Sequence, residues 1–297
     1  MRALFPGRIR SAFPSVRMRG LVFFFPILYN FYSSLLGRSR PRGEGHKSGC
    51  PARFAVRLSG PHAAESVVPS PESRDGGSKG AEEIVKCVFV HGLGQTPASW
   101  NGTIQALGPG FDAVCPDLAD LLRGKDLRYS DLYEAFSARC AGFSEPFHLC
   151  GLSLGGILAL QYGLAHPGRV RSMVLVGTQY VMPKNLLKFQ NMVFQLMPDR
   201  AFRATGFGKQ AFIALSRSMM DLDLQQDLDR ITCPVLVVCG EKDTANKRAS
   251  LRLKDLLPHG EFRMIEHAGH EVNLDAPQEL GALLRTFFQR YGGISVT

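Results

Sequence analysis

The stretch Gly151-Leu152-Ser153-Leu154-Gly155-Gly156 decides how this chain is interpreted. It follows the apolar segment Pro146 to Cys150, which predicts a buried strand, and it begins the segment Leu154–Ala165, which predicts a helix. A serine on such a strand-to-helix turn is held in a strained conformation with its hydroxyl exposed above the sheet. The flanking glycines avoid the close contacts that Cβ atoms would make there. The stretch therefore predicts that Ser153 is a nucleophile.

The segments around this turn predict an α/β fold. Six apolar segments are predicted as strands, and they begin near Ile84, Phe111, Pro146, Ser172, Cys233 and Glu261. Helical segments lie between them, at about 100–107, 132–141, 154–165, 247–257 and 277–291. This alternation predicts a mainly parallel sheet of about six or more strands, flanked by helices on both faces. In such sheets, functional residues gather beyond the carboxyl ends of the strands.

Residues 180–231 interrupt the alternation with an apolar stretch of helical period. This stretch is much longer than a simple crossover between two parallel strands requires. We interpret it as a short helical cap inserted over the carboxyl edge of the sheet. Phe189, Met192 and Phe194 are the candidates for substrate contact within it. The apolar character of the cap predicts a small hydrophobic acyl or ester substrate.

Two residues after the nucleophile are predicted to activate it. A serine hydroxyl needs a base that takes its proton, and the chain order in such folds is serine, acid, histidine. His270 follows the sixth strand and is favoured as the base, with His267 as the alternative. Asp243 follows the fifth strand and is favoured as the acid, with Glu241 as the alternative. Asp117 also ends a strand, but it precedes the serine and is expected to stabilise a turn.

The loop His91-Gly92-Leu93-Gly94 follows the first strand. Acyl transfer needs hydrogen-bond donors for the developing oxyanion. The expected donors are the backbone N–H groups of Leu93, in this loop, and of Leu154, directly after the serine. An ordinary glycine-rich strand-to-helix turn is the alternative interpretation. A phosphate-binding loop is not favoured, because no Lys-Ser or Lys-Thr pair follows.

The charge of the chain is concentrated in its first part. The 297 residues carry a formal net charge of +9. Residues 1–80 hold 13 Lys and Arg against 4 Asp and Glu, whereas residues 81–297 hold 22 of each. The later part therefore has no basic surplus for a nucleic-acid backbone, and no nucleic-acid partner is expected.

Residues 1–80 are predicted to be a basic extension, and residues 81–297 the folded domain. Several arginines precede the apolar segment from Leu21 to Leu36, which is about 16 residues long and shorter than most membrane-spanning helices. An organelle-targeting segment, a membrane anchor and a mis-assigned start stay open as interpretations. Membrane association is expected only through residues 1–36. Residues 37–80 are predicted to be a disordered linker, and the folded domain is predicted to be cytoplasmic.

Residues from about Ile84 to Tyr291 resemble the α/β-hydrolase superfamily, in its esterase-like branch. The matching motifs are His91-Gly92-Leu93-Gly94 with Trp100 nearby, Gly151 to Gly156, Gly240-Glu241-Lys242-Asp243, and Gly269-His270. Members of the superfamily often have two further strands before the His-Gly strand. Residues 54–58 are a weak candidate for one of them, so the sheet is expected to be a minimal one of six strands that starts at Ile84.

The resemblance implies a catalytic triad of Ser153, His270 and Asp243, with the Leu93 and Leu154 amides as the oxyanion hole. It implies hydrolysis of a carboxylic ester or related acyl substrate through an acyl-enzyme, with no metal and no cofactor. Relatives that open epoxides or displace halide have aspartate at the nucleophile position, so those activities are not expected. A lyase, a perhydrolase, a C–C bond hydrolase and a non-catalytic small-molecule receptor are the alternatives.

Overall fold

The computed structural model describes residues 85–292, except for the side chains of residues 203–205. The predictions made for residues 1–80, including the strand candidate at 54–58, lie outside the described residues. Between residues 85 and 292, no helix combines the length and the apolar character that a membrane crossing requires.

A single sheet of parallel strands forms the centre of the described region. Its strands are β1 (Val85–Val90), β2 (Phe111–Val114), β3 (Phe147–Leu152), β4 (Val170–Val176), β5 (Val235–Gly240) and β6 (Gly260–Ile265). Their order across the sheet is β2-β1-β3-β4-β5-β6. The order reverses between β1 and β3, and the crevice at such a reversal is the usual ligand site of an open α/β sheet.

The strand register decides which loops meet at the carboxyl edge. Val90 of β1 pairs with Gly151 of β3, so the loop after β1 lies beside the turn that carries Ser153. Gly240 of β5 pairs with Ile265 of β6, so the loops after these two strands are also neighbours. The register therefore places the loops that carry Leu93, Ser153, Asp243 and His270 at one edge of the sheet.

Side chains alternate between the two faces of the sheet, and each face has its own core. In β1, Val88 and Val90 belong to one core, whereas Cys87 and Phe89 belong to the other. The residues of β1, β3, β4 and β5 are all buried except Lys86 and Arg171, which are partly exposed, whereas the edge strands β2 and β6 are mostly partly exposed. Burial on both faces explains why the central strands are continuous apolar segments rather than alternating ones.

The helices cover both faces of the sheet. Their bounds are α1 (Asn101–Leu107), α2 (Leu118–Leu121), α3 (Tyr129–Ala141), α4 (Leu154–Ala165), α5 (Lys184–Leu196), α6 (Lys209–Ser218), α7 (Thr244–Leu256), α8 (Val272–Asp275) and α9 (Pro277–Gly292). Buried residues of α3, α4 and α7 belong to the first core, and buried residues of α1 and α9 belong to the second. The predicted fold class, a parallel sheet of six strands flanked by helices, is confirmed.

The predicted cap corresponds to the segment between β4 and β5. It contains α5 and α6, together with short 3-10 helices at Asp199–Thr205 and Gln225–Arg230. Three buried rings, Phe194, Phe202 and Phe212, stack edge to face with centroids 5.1 to 5.9 Å apart. The cap therefore has an aromatic core of its own, which holds α5 and α6 together.

Candidate active site

The turn that carries Ser153 has a strained backbone. Ser153 has φ 54° and ψ −113°, between the end of β3 and the start of α4. Its N–H donates to the Val176 carbonyl at 2.9 Å, and its carbonyl accepts from the Ile157 N–H at 3.0 Å. A non-glycine residue in such a conformation costs about 1–3 kcal/mol, and surrounding structure must maintain it. Ser153 thus shows the turn geometry that the sequence predicted.

Two glycines after Ser153 allow α4 to approach the sheet closely. A Cβ atom on Gly155 would lie 2.1 Å from the Val90 carbonyl oxygen, and one on Gly156 would lie 1.9 Å from Thr178 Oγ1. Both distances are far below van der Waals contact. The glycines are therefore required by packing against β1 and the end of β4, and they bring the start of α4 to the carboxyl edge.

Gly155→Ala is expected to destabilise the fold by about 3 kcal/mol, because the added methyl group meets backbone that cannot move alone. Gly142→Ala is the matched control, since its added methyl group would lie 3.5 Å from the nearest atom at an exposed helix end. The control should change stability by less than about 0.5 kcal/mol. Urea denaturation of the full chain measures both. Equal stabilities would contradict the close approach described for Gly155.

His270 and Asp243 form a buried pair beside this turn. Asp243 Oδ2 lies 2.8 Å from His270 Nδ1. The side chains of His270 and Asp243 are only 9% and 0% exposed. Asn246, in the first turn of α7, donates its side-chain amide to both carboxylate oxygens of Asp243 at 2.9 Å. These contacts fix the orientation of the carboxylate and, through it, of the imidazole.

The pKa of His270 is raised above its usual value of 6.5. Burial, the largest single influence, acts to lower the pKa, because it disfavours the charged imidazolium. The hydrogen bond and the negative charge of Asp243 act in the opposite direction and prevail. The protonated form of His270 is therefore stabilised, as a base that accepts a proton from a nucleophile requires.

The alternative acid and base lie elsewhere and contact each other. Glu241 Oε2 accepts from the His267 N–H at 2.8 Å and lies 3.5 Å from His267 Nδ1. The His267 side chain is 84% exposed. Asp117, the third carboxylate considered, caps α2 by accepting from the Ala119 N–H. These side chains have structural roles at the surface, which leaves Asp243 and His270 as the favoured pair.

The loop after β1 is held in place by buried side chains. His91 Nδ1 lies 2.9 Å from the Gly92 carbonyl, and His91 Nε2 accepts from the Leu118 N–H at 3.2 Å. Burial lowers the pKa of His91, so the ring is neutral and bridges the loop to α2. Gln95 donates to Asn273 Oδ1 at 3.2 Å and so connects the loop to α8. The sequence had not singled out Gln95 or Asn273.

An apolar cavity lies under the cap, and Ser153 and His270 both line it. The two predicted oxyanion donors, Leu93 and Leu154, line the same cavity. Leu154 is the first residue of α4, where N–H groups have no acceptor within the helix. The remaining polar lining residues are Gln179, Gln190, Ser216 and Asn246. The cavity therefore brings the predicted nucleophile, base and donors to one space.

The three cap residues predicted to contact substrate do not line this cavity. Phe189 and Met192 are exposed on the outer face of α5, and Phe194 is buried in the aromatic core of the cap. The face of α5 that lines the cavity carries Leu186, Leu187 and Gln190 instead. The composition of a helix does not reveal which of its faces meets the rest of the protein, so only the tertiary structure separates these two sets.

Within residues 85–292, no group of three or more His, Cys, Asp or Glu side chains is arranged to hold a metal ion. The six cysteines of this region are all free thiols. Burial raises the pKa of several of them, including Cys115, whose pKa is about 12. Their chemistry therefore does not compete with that of Ser153.

The sequence pattern of the alpha/beta hydrolase family matches residues 87–283. The match covers well over half of the chain and includes every residue of the candidate site. The chain therefore belongs to the alpha/beta hydrolase family, and the predicted resemblance is confirmed.

The individual relatives share only a small fraction of their sequence with this chain. The chain is 26% identical over 241 residues to the pimeloyl-[acyl-carrier protein] methyl ester esterase of Aeromonas salmonicida, and the match covers 67% of this chain and 94% of the relative. A carboxylesterase structure from Nitrososphaera gargenis is 20% identical, has a TM-score of 0.61, and matches over 72% of this chain and 93% of its own. A thermophilic esterase structure from Thermogutta terrifontis is 17% identical, has a TM-score of 0.59, and matches over 70% and 90%. The two structures share the fold of this chain.

Proposed function

We propose that this protein hydrolyses carboxylic esters, with Ser153 as nucleophile, His270 as general base and Asp243 as the acid that orients it. The observation that carries the proposal is the buried 2.8 Å contact between Asp243 and His270, together with the cavity that both His270 and Ser153 line, Ser153 from a strained turn. The match to the pimeloyl-[acyl-carrier protein] methyl ester esterase covers 94% of the length of that relative. This similarity supports the same reaction class for this chain.

In the first step, the Ser153 oxygen attacks the ester carbonyl carbon while His270 accepts the hydroxyl proton. A bond forms between the serine oxygen and the carbonyl carbon, and the carbonyl oxygen becomes an oxyanion. The backbone N–H groups of Leu93 and Leu154 donate to this oxyanion. When the intermediate collapses, the bond to the alkoxy group breaks, and His270 returns its proton to the departing alcohol.

In the second step, water attacks the acyl-enzyme. His270 takes a proton from the water, and the water oxygen bonds to the acyl carbon. The bond to the Ser153 oxygen then breaks, and the serine regains its proton from His270. The role of Asp243 is to hold the imidazole and to stabilise its positive charge. No other group is needed to balance this reaction.

The cavity walls indicate the class of ester. Eight apolar residues line the cavity, and several of them, such as Met182, Leu187 and Met219, come from the cap and its flanking segments. An apolar wall selects substrates by the hydrophobic surface that they bury. We therefore propose a small or medium-sized hydrophobic acyl or ester group as the substrate.

The proposal is tested on the purified full chain with p-nitrophenyl esters of increasing acyl length and with a fluorophosphonate probe. We expect turnover that prefers short to medium chains, and one probe adduct, which peptide mapping places on Ser153. A receptor with a misaligned triad would bind esters without turnover and would label poorly. No hydrolysis of any ester, together with no adduct on Ser153, would refute the proposal.

A further inference from the structure

Gln190 is an unusual residue in the wall of the cavity. It lies on α5 among apolar neighbours, and only 3% of its surface is exposed. Neither the nitrogen nor the oxygen of its side-chain amide has a hydrogen-bond partner among the described residues, and neither contacts solvent. A buried amide without partners is costly, and such groups in folded proteins are usually satisfied. Gln190 lines the cavity, so a rotation of its side chain would bring the amide to a group bound there.

The surroundings of Gln190 restrict what this partner is. Among the described residues that line the cavity, His270 is the only ionisable one, and Asp243 is already its partner. A charged ligand group would therefore be desolvated without compensation. An amide both donates and accepts hydrogen bonds, so it pairs with a neutral oxygen group. Ser216, on α6, lines the same cavity and is the second residue there, after Ser153, that carries a hydroxyl group.

We infer that Gln190 forms a polar subsite for an uncharged oxygen group, a ketone or a hydroxyl, on the hydrophobic part of the substrate. This inference rests on the proposed function of the same cavity. The preferred substrate then has two features: an ester carbon that Ser153 attacks, and a neutral oxygen group further along the chain that contacts Gln190. Purely alkyl chains enter the cavity but leave the amide unpaired.

The test compares methyl hexanoate with its 4-oxo and 5-oxo analogues, whose ketones are too far from the ester carbonyl to activate it. A ketone and a methylene group are similar in size, so the comparison isolates the hydrogen bond. We expect one ketone position to raise kcat/KM roughly tenfold over the plain ester, the scale of one net hydrogen bond. In Gln190→Leu the ratio of kcat/KM between the preferred keto ester and the plain ester should fall to about one, because the hydrogen bond that distinguishes the two substrates is lost.

Asn191→Leu is the matched control. Asn191 is also buried, and its side-chain amide likewise has no hydrogen-bond partner among the described residues, but it does not line the cavity. Both substitutions remove a buried unpaired amide, so both should maintain or raise the melting temperature. Only Gln190→Leu should change the preference between substrates. A loss of preference in both variants would indicate a general effect on the cap and would overturn the assignment of the subsite to Gln190.

A binding measurement separates this inference from the proposed function. In the Ser153→Ala protein, the preferred keto ester should raise the melting temperature more than methyl hexanoate does, and Gln190→Leu in the same background should remove the difference. Hydrolysis of plain esters without any advantage for a ketone overturns the subsite and leaves the esterase intact. Absence of all hydrolysis refutes the esterase, while the binding comparison still decides the subsite.

Discussion

Ser153→Ala is expected to lower kcat for ester hydrolysis by at least about 10⁴-fold, because it removes the hydroxyl that is proposed to form the acyl-enzyme. The substitution removes one oxygen atom from a side chain that lines the cavity. The backbone hydrogen bonds that hold the turn, to Val176 and from Ile157, do not involve the side chain. The fold should therefore persist, and the loss should appear in kcat with little change in the binding of substrate.

The measurement is steady-state hydrolysis of a p-nitrophenyl ester, with circular dichroism and thermal melting to verify the fold. Ser144→Ala is the control, since Ser144 is an exposed serine in the connection between α3 and β3. It should retain the activity of the original protein. The assignment of the nucleophile fails if Ser153→Ala hydrolyses the ester at a rate close to that of Ser144→Ala.

Asp243→Asn should lower kcat by roughly 10⁴-fold while the geometry of the site is retained. Asp243 accepts from His270 Nδ1 and thereby keeps the proton on that nitrogen, which leaves Nε2 free to take the serine proton. The introduced amide can donate to Nδ1 instead, and this favours the tautomer that cannot act as a base. Asn246, which donates to both oxygens of Asp243, would also lose an acceptor.

The same substitution should change the pH profile. His270 must be neutral to act as the base, and its pKa lies above 6.5, so the acidic limb of kcat/KM in the original protein should have its midpoint above 6.5. Asp243→Asn removes the hydrogen bond and the charge that raise this pKa, and the effect of burial remains. The midpoint of the residual activity should therefore move to lower pH, even though the plateau is much lower.

The pKa of His270 also has a consequence for stability. A group whose pKa is raised by folding stabilises the folded state fully below its unfolded value, and this contribution is lost as pH increases through the folded value. The contribution of His270 should thus be present below about 6.5 and absent well above it. Asp243→Asn should remove this contribution to the free energy of unfolding. The difference in stability between the two proteins should therefore be largest at pH values below the pKa of His270.

Glu241→Gln is the control for both measurements, because Glu241 is the other carboxylate after β5 and its observed partner is the exposed His267. Its activity should stay within about twofold of the original protein, because Glu241 is exposed and does not line the cavity. If Glu241→Gln lost activity and Asp243→Asn retained it, the acid would have to be reassigned to Glu241.

Much of the site could be predicted from the sequence because it is encoded locally. The turn at Ser153 requires glycines at 155 and 156, and these positions are readable as a motif between a strand and a helix. Asp243 and His270 each follow a strand, and parallel strands end at the same edge, so their proximity follows from the pattern of elements. The strand β3 extends to Leu152, two residues beyond its predicted end, because it pairs with β4 as far as Val176.

The residues that line the cavity could not be predicted in the same way. Phe189 and Met192 were chosen because they are large and apolar, yet they face outwards on α5. Gln190, adjacent to Phe189 in the sequence, lines the cavity. Helical periodicity identifies faces, but the choice of the face that points to Ser153 depends on how the cap sits on the sheet.

The sequence by itself determined the family, the parallel sheet and the identity of the predicted nucleophile, acid and base. These features depend on hydrophobic period, on glycine at positions of close approach and on chain order, all of which are local properties. Only the tertiary structure decided which of the two acids contacts which of the two histidines, and which face of α5 lines the cavity. Those outcomes depend on contacts between residues that are distant in the chain, such as Asp243 and His270. A local sequence pattern does not specify which of these residues come into contact.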